Sequence, residues 1–554
     1  MGASDELVFL PLGGSGEIGM NLNLYGFGPE SGRKWLMVDL GVTFGDESTP
    51  GVDLICPDPE YIEEFRDDIL ALLLTHAHED HIGAVALLWP RFRCPIYATA
   101  FTAAMARRKF EEAGIEDAPI HVIGQGARLD FGPFAIEYVT LTHSIPEPNG
   151  IAIRTPLGAV LHTGDWKIDP SPTLGPETDI ATIRKLGDDG LLAMVCDSTN
   201  VFSPGESGSE LKVRENLIEL VGELKGRVAV TTFASNVARV QSALMAASAN
   251  GRHAVLVGRS MHRIVECARE AGVLKADANI VSADDAGYLP PDNVLYLCTG
   301  SQGEPRAALT RIANGDHHQL TLERGDTVIY SSRIIPGNER GIFAVQNILA
   351  EKGVRIITER DHFVHVSGHP CRDELRMMYE WARPQIAVPV HGEARHLAEH
   401  ARYARELGAR EAIAARNGEM IRLAPAPAKV IDEVPSGRLY LDGNYLTREG
   451  DGALRDRKRM AYGGHLVICI ALDDSDNLAG AVEAKLVGAP MILTEDGDPL
   501  IRAIEEAVES AVESLPRRRR DEDSVREAAR RAGRRLARDY WGKKPETSVI
   551  VMRV

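Results

Sequence analysis

The sequence predicts an α/β protein with helix-covered parallel sheets, and three observations carry that prediction. Apolar runs of strand length recur along the chain, with amphipathic stretches of helix length between them, the mark of alternating strands and helices. From about 204 to about 361 this alternation looks like a domain in its own right. Its strand-like runs are 228–232, 254–257, 294–298 and 327–330, with helical patterns at 211–224 and 236–249. Finally, metal-ligand residue types collect directly after another apolar run, where open α/β sheets place their chemistry. At 554 residues, the chain has room for two to four domains with substantial cores.

Near the N-terminus, Gly14, Gly16 and Gly19 satisfy G-x-G-x-x-G, and Asp39 closes the apolar run 35–39. This mimics a dinucleotide-binding fingerprint, which needs a helix straight after the glycines. Residues 21–27 alternate as a strand instead, which argues against a nicotinamide or flavin site.

The run 69–74 reads as a buried strand, and residues 81–88 read as the start of a helix. Between them lies Thr75-His76-Ala77-His78-Glu79-Asp80-His81. Strand alternation puts His76 and His78 on one side, and the turn can fold Asp80 and His81 toward them. Two imidazoles could then hold one cation while the carboxylate and third imidazole hold another. Imidazole with carboxylate suits zinc or manganese rather than calcium. The plain alternative is three solvated histidines in a loop.

This H-x-H-x-D-H pattern resembles the metallo-β-lactamase superfamily, whose other ligands can be sought one at a time. His143 follows the run 136–141, Asp165 ends the run 160–165, and His391 follows 386–390. The resemblance assigns His76, His78 and His143 to one metal, Asp80, His81 and His391 to the other, and Asp165 to both. It also makes Asp39 a brace of the ligand loop. Asp165 and His391 are 226 residues apart (391 minus 165), so a domain has been inserted between them. The insert and its flanks resemble the β-CASP nucleases, in their ribonuclease J branch. The motifs are Cys196-Asp197-Ser198-Thr199-Asn200, Phe233-Ala234-Ser235-Asn236, Gly258-Arg259-Ser260-Met261, Thr299-Gly300-Ser301-Gln302-Gly303-Glu304-Pro305, His365-Val366-Ser367-Gly368-His369 and Pro389-Val390-His391-Gly392-Glu393.

The resemblance implies a metallo-β-lactamase αββα sandwich over 1–203 and 362–450, interrupted by a β-CASP α/β domain over 204–361. A small C-terminal α/β domain follows over 451–554, where 466–472 and 548–552 read as strands and 524–540 as a basic helix. The implied function is a metal-dependent ribonuclease with 5′-to-3′ exonuclease and endonuclease action in RNA maturation and decay. Two zinc ions are implied, with manganese the alternative, along with a structural calcium near Thr49, Gly51 and Asp442. His369 or Asp197 would pass a proton to the departing 3′ oxygen. Ser235, Asn236 and Val237, with His365, Val366, Ser367, Gly368 and His369, would receive the 5′ monophosphate of single-stranded RNA. Hydroxyl, amide and backbone N–H groups suit a phosphate without demanding a base. The family also implies a homodimer or homotetramer. One local departure stands out. Where a histidine is expected near position 238 the chain has Ala238, followed by Arg239. A substrate contact that depended on that histidine is lost or supplied by Arg239.

The formal net charge of −18 argues against loose binding to duplex DNA without excluding a threaded single strand. Arg259, Arg306, Arg333 and Arg340 could form a basic channel within the acidic shell. No run of 18 apolar residues occurs, and residues 1–6 carry no leader pattern, so a cytoplasmic protein without a membrane span is expected. The seven cysteines form no C-x-x-C pair, which fits a reducing compartment and speaks against a zinc-thiolate site. His162 reads as structural, His396 and His400 as solvated, and Arg517 to Arg520 as a solvated cluster. Two other functions compete: a metallohydrolase of thioesters or lactams, and a scaffold that binds RNA without cutting. The first leaves the insert idle, and the second would show degenerate ligands, whereas all seven are present.

Overall fold

The computed structural model describes residues 5–274 and 279–554, so most of the 1–6 stretch read for a leader lies outside the described residues. The chain forms two compact units. One runs to Thr43 and resumes over Leu54–Leu439; the other joins Phe44–Asp53 to Tyr440–Val554.

In the first unit two sheets face each other. The eight-stranded sheet runs in the order Lys429–Glu433, Glu419–Ala424, Glu6–Gly13, Leu22–Gly28, Lys34–Val38, Ile69–Leu73, Ile96–Ala98, Ile120–Val122. The seven-stranded sheet runs Arg128–Phe131, Phe134–Thr140, Asn149–Thr155, Gly158–His162, Ala193–Asp197, Ile386–Val390, Glu411–Ala412. Their inner faces share one core, in which Phe9, Tyr25, Leu36 and Leu73 meet Phe134, Ile151, Val195 and Val388. Each such side chain contributes about 1.5–3 kcal/mol on burial. Helices Ile180–Asp188, Arg372–Ala382 and Ala394–Glu406 cover the outer face of the second sheet through Ile183, Leu375, Met378 and Ala401. Helix Ala100–Glu112 packs on the far strands of the first. This is the expected αββα sandwich.

The insert holds five parallel strands in the order His253–Val257, Val294–Cys298, Val228–Thr231, Thr327–Tyr330, Arg355–Ile357. All four runs read as strands in the sequence are here, because strands buried on both faces appear as unbroken apolar runs. Val228–Thr231 and Thr327–Tyr330 are neighbours whose connections leave in opposite directions. Such a switch point opens a crevice at the strands' carboxyl ends. The loops there carry Ser235 and Arg333, with Arg259 and Arg306 after the next strands.

The second unit pairs His465–Leu472 with Glu483–Val487 and Glu546–Arg553. Helices Leu500–Glu513 and Glu522–Trp541 pack on the Leu466, Ile468, Ile470 and Leu472 face. On the other face Val487, Ile550 and Met552 are exposed. Among the described residues, no helix is long and apolar enough to cross a membrane.

Candidate metal centre

Four separate strand ends deliver the metal-type side chains to one place. His76 and His78 follow Ile69–Leu73, and His81 lies in the short helix Glu79–Ile82. Asp39, at φ 61° beyond Lys34–Val38, ties this loop down. Its Oδ1 accepts from Thr75 N at 2.8 Å, and its Oδ2 lies 2.8 Å from Thr75 Oγ1 and 2.7 Å from His81 Nδ1. The brace expected of Asp39 is therefore present. With Nδ1 committed to Asp39, His81 presents Nε2 to the centre.

His143 is oriented from the far side of the insert. Its Nδ1 donates to Gly368 O at 2.5 Å, leaving Nε2 inward, 3.1 Å from His78 Nδ1. A Cβ on Gly368 would stand 2.8 Å from His143 Cε1, so only glycine allows this approach. Asp165 arrives beyond the end of Gly158–His162 because Gly164, at φ 55°, turns the chain there. The strand thus stops short of the predicted end at Asp165. His391, at φ 52°, follows Ile386–Val390 and donates its N–H to Gly14 O at 2.6 Å.

Asp165 Oδ2 is the hub. It lies 3.2 Å from His81 Nε2, 3.4 Å from His391 Nε2, 3.8 Å from His76 Nε2 and 3.9 Å from His143 Nε2. Asp80 Oδ2 is 3.6 Å from Nε2 of both His81 and His391. The ligand atoms gather as His76, His78, His143, Asp165 and as Asp80, His81, Asp165, His391, the two sets proposed from sequence. Asp165 Oδ1 and His391 Nε2 are buried without a hydrogen-bond partner. Buried polar atoms left so are costly unless something else binds them, and carboxylate with imidazole is a zinc-type donor set. The residues fit bound metal.

Electrostatics set His81 apart from the three imidazoles of the first set. Burial, then neighbouring imidazoles, holds His76 and His143 well below the usual histidine range; burial pushes His78 down to about 4. These rings are neutral and have a lone pair to give. Burial also disfavours charge on His81, but Asp165, Asp80 and Asp39 outweigh it and raise it.

Next to the hub, His369 Nδ1 is 2.8 Å from Asp197 Oδ2 and 3.9 Å from Asp165 Oδ2. Asp197 is fully buried, and its Oδ1 accepts from Thr199 N and Oγ1 at 2.8 and 2.7 Å. His369 keeps 24 % of its side chain exposed. Burial opposes its protonation, yet Asp197 overrides this and holds it at about 9.

This arrangement can be set beside known proteins. A ribonuclease J from Sinorhizobium meliloti is 47% identical over 557 residues, covering 100% of this chain and 98% of the relative. The chain belongs to the ribonuclease J family. Ribonuclease J proteins of Corynebacterium glutamicum and Thermus thermophilus are 40% and 36% identical, covering 96% and 88% of this chain and 74% and 86% of theirs. Family models match in series: metallo-beta-lactamase superfamily over 29–221, ribonuclease J beta-CASP domain over 225–349, Zn-dependent metallo-hydrolase RNA specificity domain over 353–415, and ribonuclease J C-terminal domain over 452–554. A solved protein of unknown function from Enterococcus faecalis V583 shares the fold at TM-score 0.52 and 16% identity, covering 75% of this chain and 100% of its own. The chain is thus a metal-dependent ribonuclease, a phosphodiester hydrolase of RNA processing.

Within this ribonuclease J fold the residues expected to bind substrate divide. Ser367 Oγ accepts from Asn200 Nδ2 at 2.7 Å and His369 N at 3.2 Å. Arg333 Nη1 reaches Asn200 Oδ1 at 3.4 Å. His365 is half-buried with Nδ1 unpartnered; burial and Arg239 lower it to about 3. Val366 is buried, and Gly368 spends its carbonyl on His143. Of the other loop, only Ser235 offers an uncommitted side chain. Asn236 Oδ1 caps the helix Val237–Ala249 by accepting from Arg239 N at 2.9 Å, and Val237 is wholly in the core.

The structure decides between the two alternatives at position 238 and corrects the reading of two histidines. Arg239 cannot replace the missing histidine, because it is fully buried against Glu210 at 2.9 Å and donates to Ser331 O and Val364 O. His396 and His400 are buried rather than solvated. His400 bridges Ser198 Oγ at 2.8 Å and Tyr379 O–H at 3.1 Å beneath the Asp197 loop. His162 is structural as read, with Nδ1 2.9 Å from the Tyr25 hydroxyl. Sequence reasoning missed Asn21, whose amide lies 3.1 Å from both His81 Nε2 and His391 Nδ1. It sits just past the glycine loop dismissed as a decoy, and nothing in its spacing marks it.

In the second unit, Asp442 and the Pro50–Gly51 turn meet around Arg457. Arg457 Nη2 is 2.6 Å from Asp442 Oδ2, and Nη1 is 3.4 Å from Pro50 O. A cationic side chain thus already stands among the residues expected to hold calcium.

Proposed function

We propose that the chain degrades single-stranded RNA from a 5′ monophosphate end, releasing mononucleotides, and also cuts RNA internally, in RNA maturation and decay. The observation that carries this reading is His369, which lies beside Asp197 and the Asp165 hub while remaining the partly exposed member of that pair. His76, His78 and His143 would hold one zinc ion, Asp80, His81 and His391 the other, and Asp165 both, with manganese the alternative. Bound cations supply Lewis-acid activation of water and neutralise the phosphate.

The protein's own groups do the rest. Asp197, buried and acceptor-only, orients His369, whose other nitrogen faces the scissile phosphate and gives the departing 3′ oxygen its proton. Ser367, His365 and Ser235, with Arg333 beside them, receive the terminal phosphate by hydrogen bonds that do not select a base. The exposed sheet face of the C-terminal unit supports self-association as a homodimer or homotetramer. Seven free cysteines, six of them buried, agree with a reducing, cytoplasmic setting. Arg457 supplies the positive charge at Asp442, in place of the expected calcium.

The test is metal-loaded protein on RNAs bearing a 5′ monophosphate, triphosphate or hydroxyl. Mononucleotides from the monophosphate RNA, with internal fragments from the other two, are expected. Equal exonucleolytic release from all three would contradict the end preference, and no cleavage would overturn the reading.

A further inference from the structure

The joint between the sandwich and the insert is lined with buried charge. Lys167, Asp169, Glu210, Arg239 and Glu374 are each at most 2 % exposed. Four of them pair: Lys167 Nζ lies 3.3 Å from Asp169 Oδ2, and Arg239 Nη2 lies 2.9 Å from Glu210 Oε1. Glu374 is satisfied differently. Its Oε1 accepts from Ile168 N at 2.9 Å and Ser207 Oγ at 2.6 Å. Its Oε2 accepts from Ser207 N at 2.9 Å and Cys371 N at 2.8 Å.

A buried carboxylate is costly unless donors surround it, and here four do, from three chain segments. Ile168 lies just beyond Asp165. Cys371 lies just beyond His369. Ser207 lies on the first crossing from the sandwich into the insert. An ordinary helix-capping role accounts for the bond to Cys371, but not for the other three. Those join parts of the chain that have no sequence reason to keep a common register.

We propose that Glu374 is a positioning residue for RNA cleavage, registering the His369 loop against the Asp165 loop and the first crossing into the insert. The proposal rests on the reading that His369 acts at the scissile phosphate. Both oxygens of Glu374 serve only as acceptors. A carboxamide in their place would turn N–H groups toward N–H donors, so Glu374→Gln forces these segments apart while keeping size and shape. His369 then sits off its line to the phosphate, and misplacement on the order of 1 Å costs up to about 100-fold.

The experiment compares wild type, Glu374→Gln, Glu374→Asp, Ser207→Ala, His369→Ala and the Glu374→Gln/His369→Ala double variant. Single-turnover cleavage of 5′-monophosphorylated RNA, KM, metal content and melting midpoint are measured for each. Glu374→Gln is expected to keep wild-type metal content and KM while its cleavage rate falls about 10- to 100-fold. Glu374→Asp, still a carboxylate, should recover part of the rate. The double variant should be no slower than His369→Ala, since Glu374 works through that side chain. Losses that multiply in the double variant, or that follow metal loss, overturn the proposal. If Glu374→Gln does not fold, Ser207→Ala, which removes one bond of the four, decides: a slower rate at unchanged KM supports it, and an unchanged rate overturns it. Equal activity of wild type and His369→Ala would remove the His369 reading itself, a distinct failure visible without any Glu374 variant.

Discussion

Asp39 shows how much of this centre depends on residues that would never touch a cation. One buried carboxylate holds Thr75 twice and His81 once, so it sets both the path of the ligand loop and the tautomer of one ligand. Asparagine at this position keeps the size but loses the charge and one acceptor. Asp39→Asn is therefore expected to weaken metal affinity about 10- to 100-fold, with cleavage restored at high metal concentration. Competition against a chromophoric chelator measures it, and unchanged affinity would show that the loop holds its shape unaided. Asn21 has a similar place near His81 and His391, and its importance was not legible. The seven candidate ligands could be read because residue type, order and preceding strands were all visible at once. A lone buried asparagine has no such signature, and its partners are hundreds of residues away in the case of His391.

At the scale of elements, the helix Val237–Ala249 is anchored by the Glu210–Arg239 pair. Arg239→Leu would take from buried Glu210 its ion-pair partner and leave it Asn236 Nδ2 at 3.3 Å and the field of Lys167, at a cost of about 3–5 kcal/mol, read by urea denaturation. Glu210 sits at about 2 in the folded chain against an ordinary 4.5, because Arg239 and Lys167 overcome the opposing effect of burial. A depressed carboxyl stabilises the fold fully above about pH 4.5, and that contribution is lost as pH falls toward about 2. A Glu210→Gln/Arg239→Met variant should lose the part of the acid sensitivity that this pair causes; an unchanged acid profile would contradict the assignment. The sequence misled here for a physical reason. An arginine next to an expected substrate contact looks available, and only the packing shows it committed. The same holds for His400, whose helical spacing from His396 resembled a solvated face. The Asp442–Arg457 pair makes a further claim: added calcium should not raise the melting midpoint, and a saturable rise would restore the ion there.

At the scale of the whole molecule, a chain of net charge −18 cleaves a polyanion. The strand ends of the insert offer local positive charge, since they carry Arg259, Arg306 and Arg333 as exposed side chains on the rim that also bears Ser235. If Arg333 meets one phosphate, Arg333→Ala should reduce the slope of log affinity against log salt by about 0.7. An unchanged slope would place that arginine off the RNA path. The alternating architecture and the order of the motifs were legible because buried parallel strands are unbroken apolar runs, and because the candidate ligands follow strands, His143 following the antiparallel strand Phe134–Thr140. The joint around Glu374 was not, since its bonds unite segments far apart in sequence.

The central claim is that two cations share Asp165 and that RNA cleavage depends on both. Elemental analysis of metal bound per chain, made on the same samples assayed for RNA cleavage, tests it most directly. Two zinc equivalents are expected in wild type, and one with no cleavage in His78→Ala. Full cleavage by chelator-stripped protein, or an unchanged metal count in His78→Ala, would contradict it.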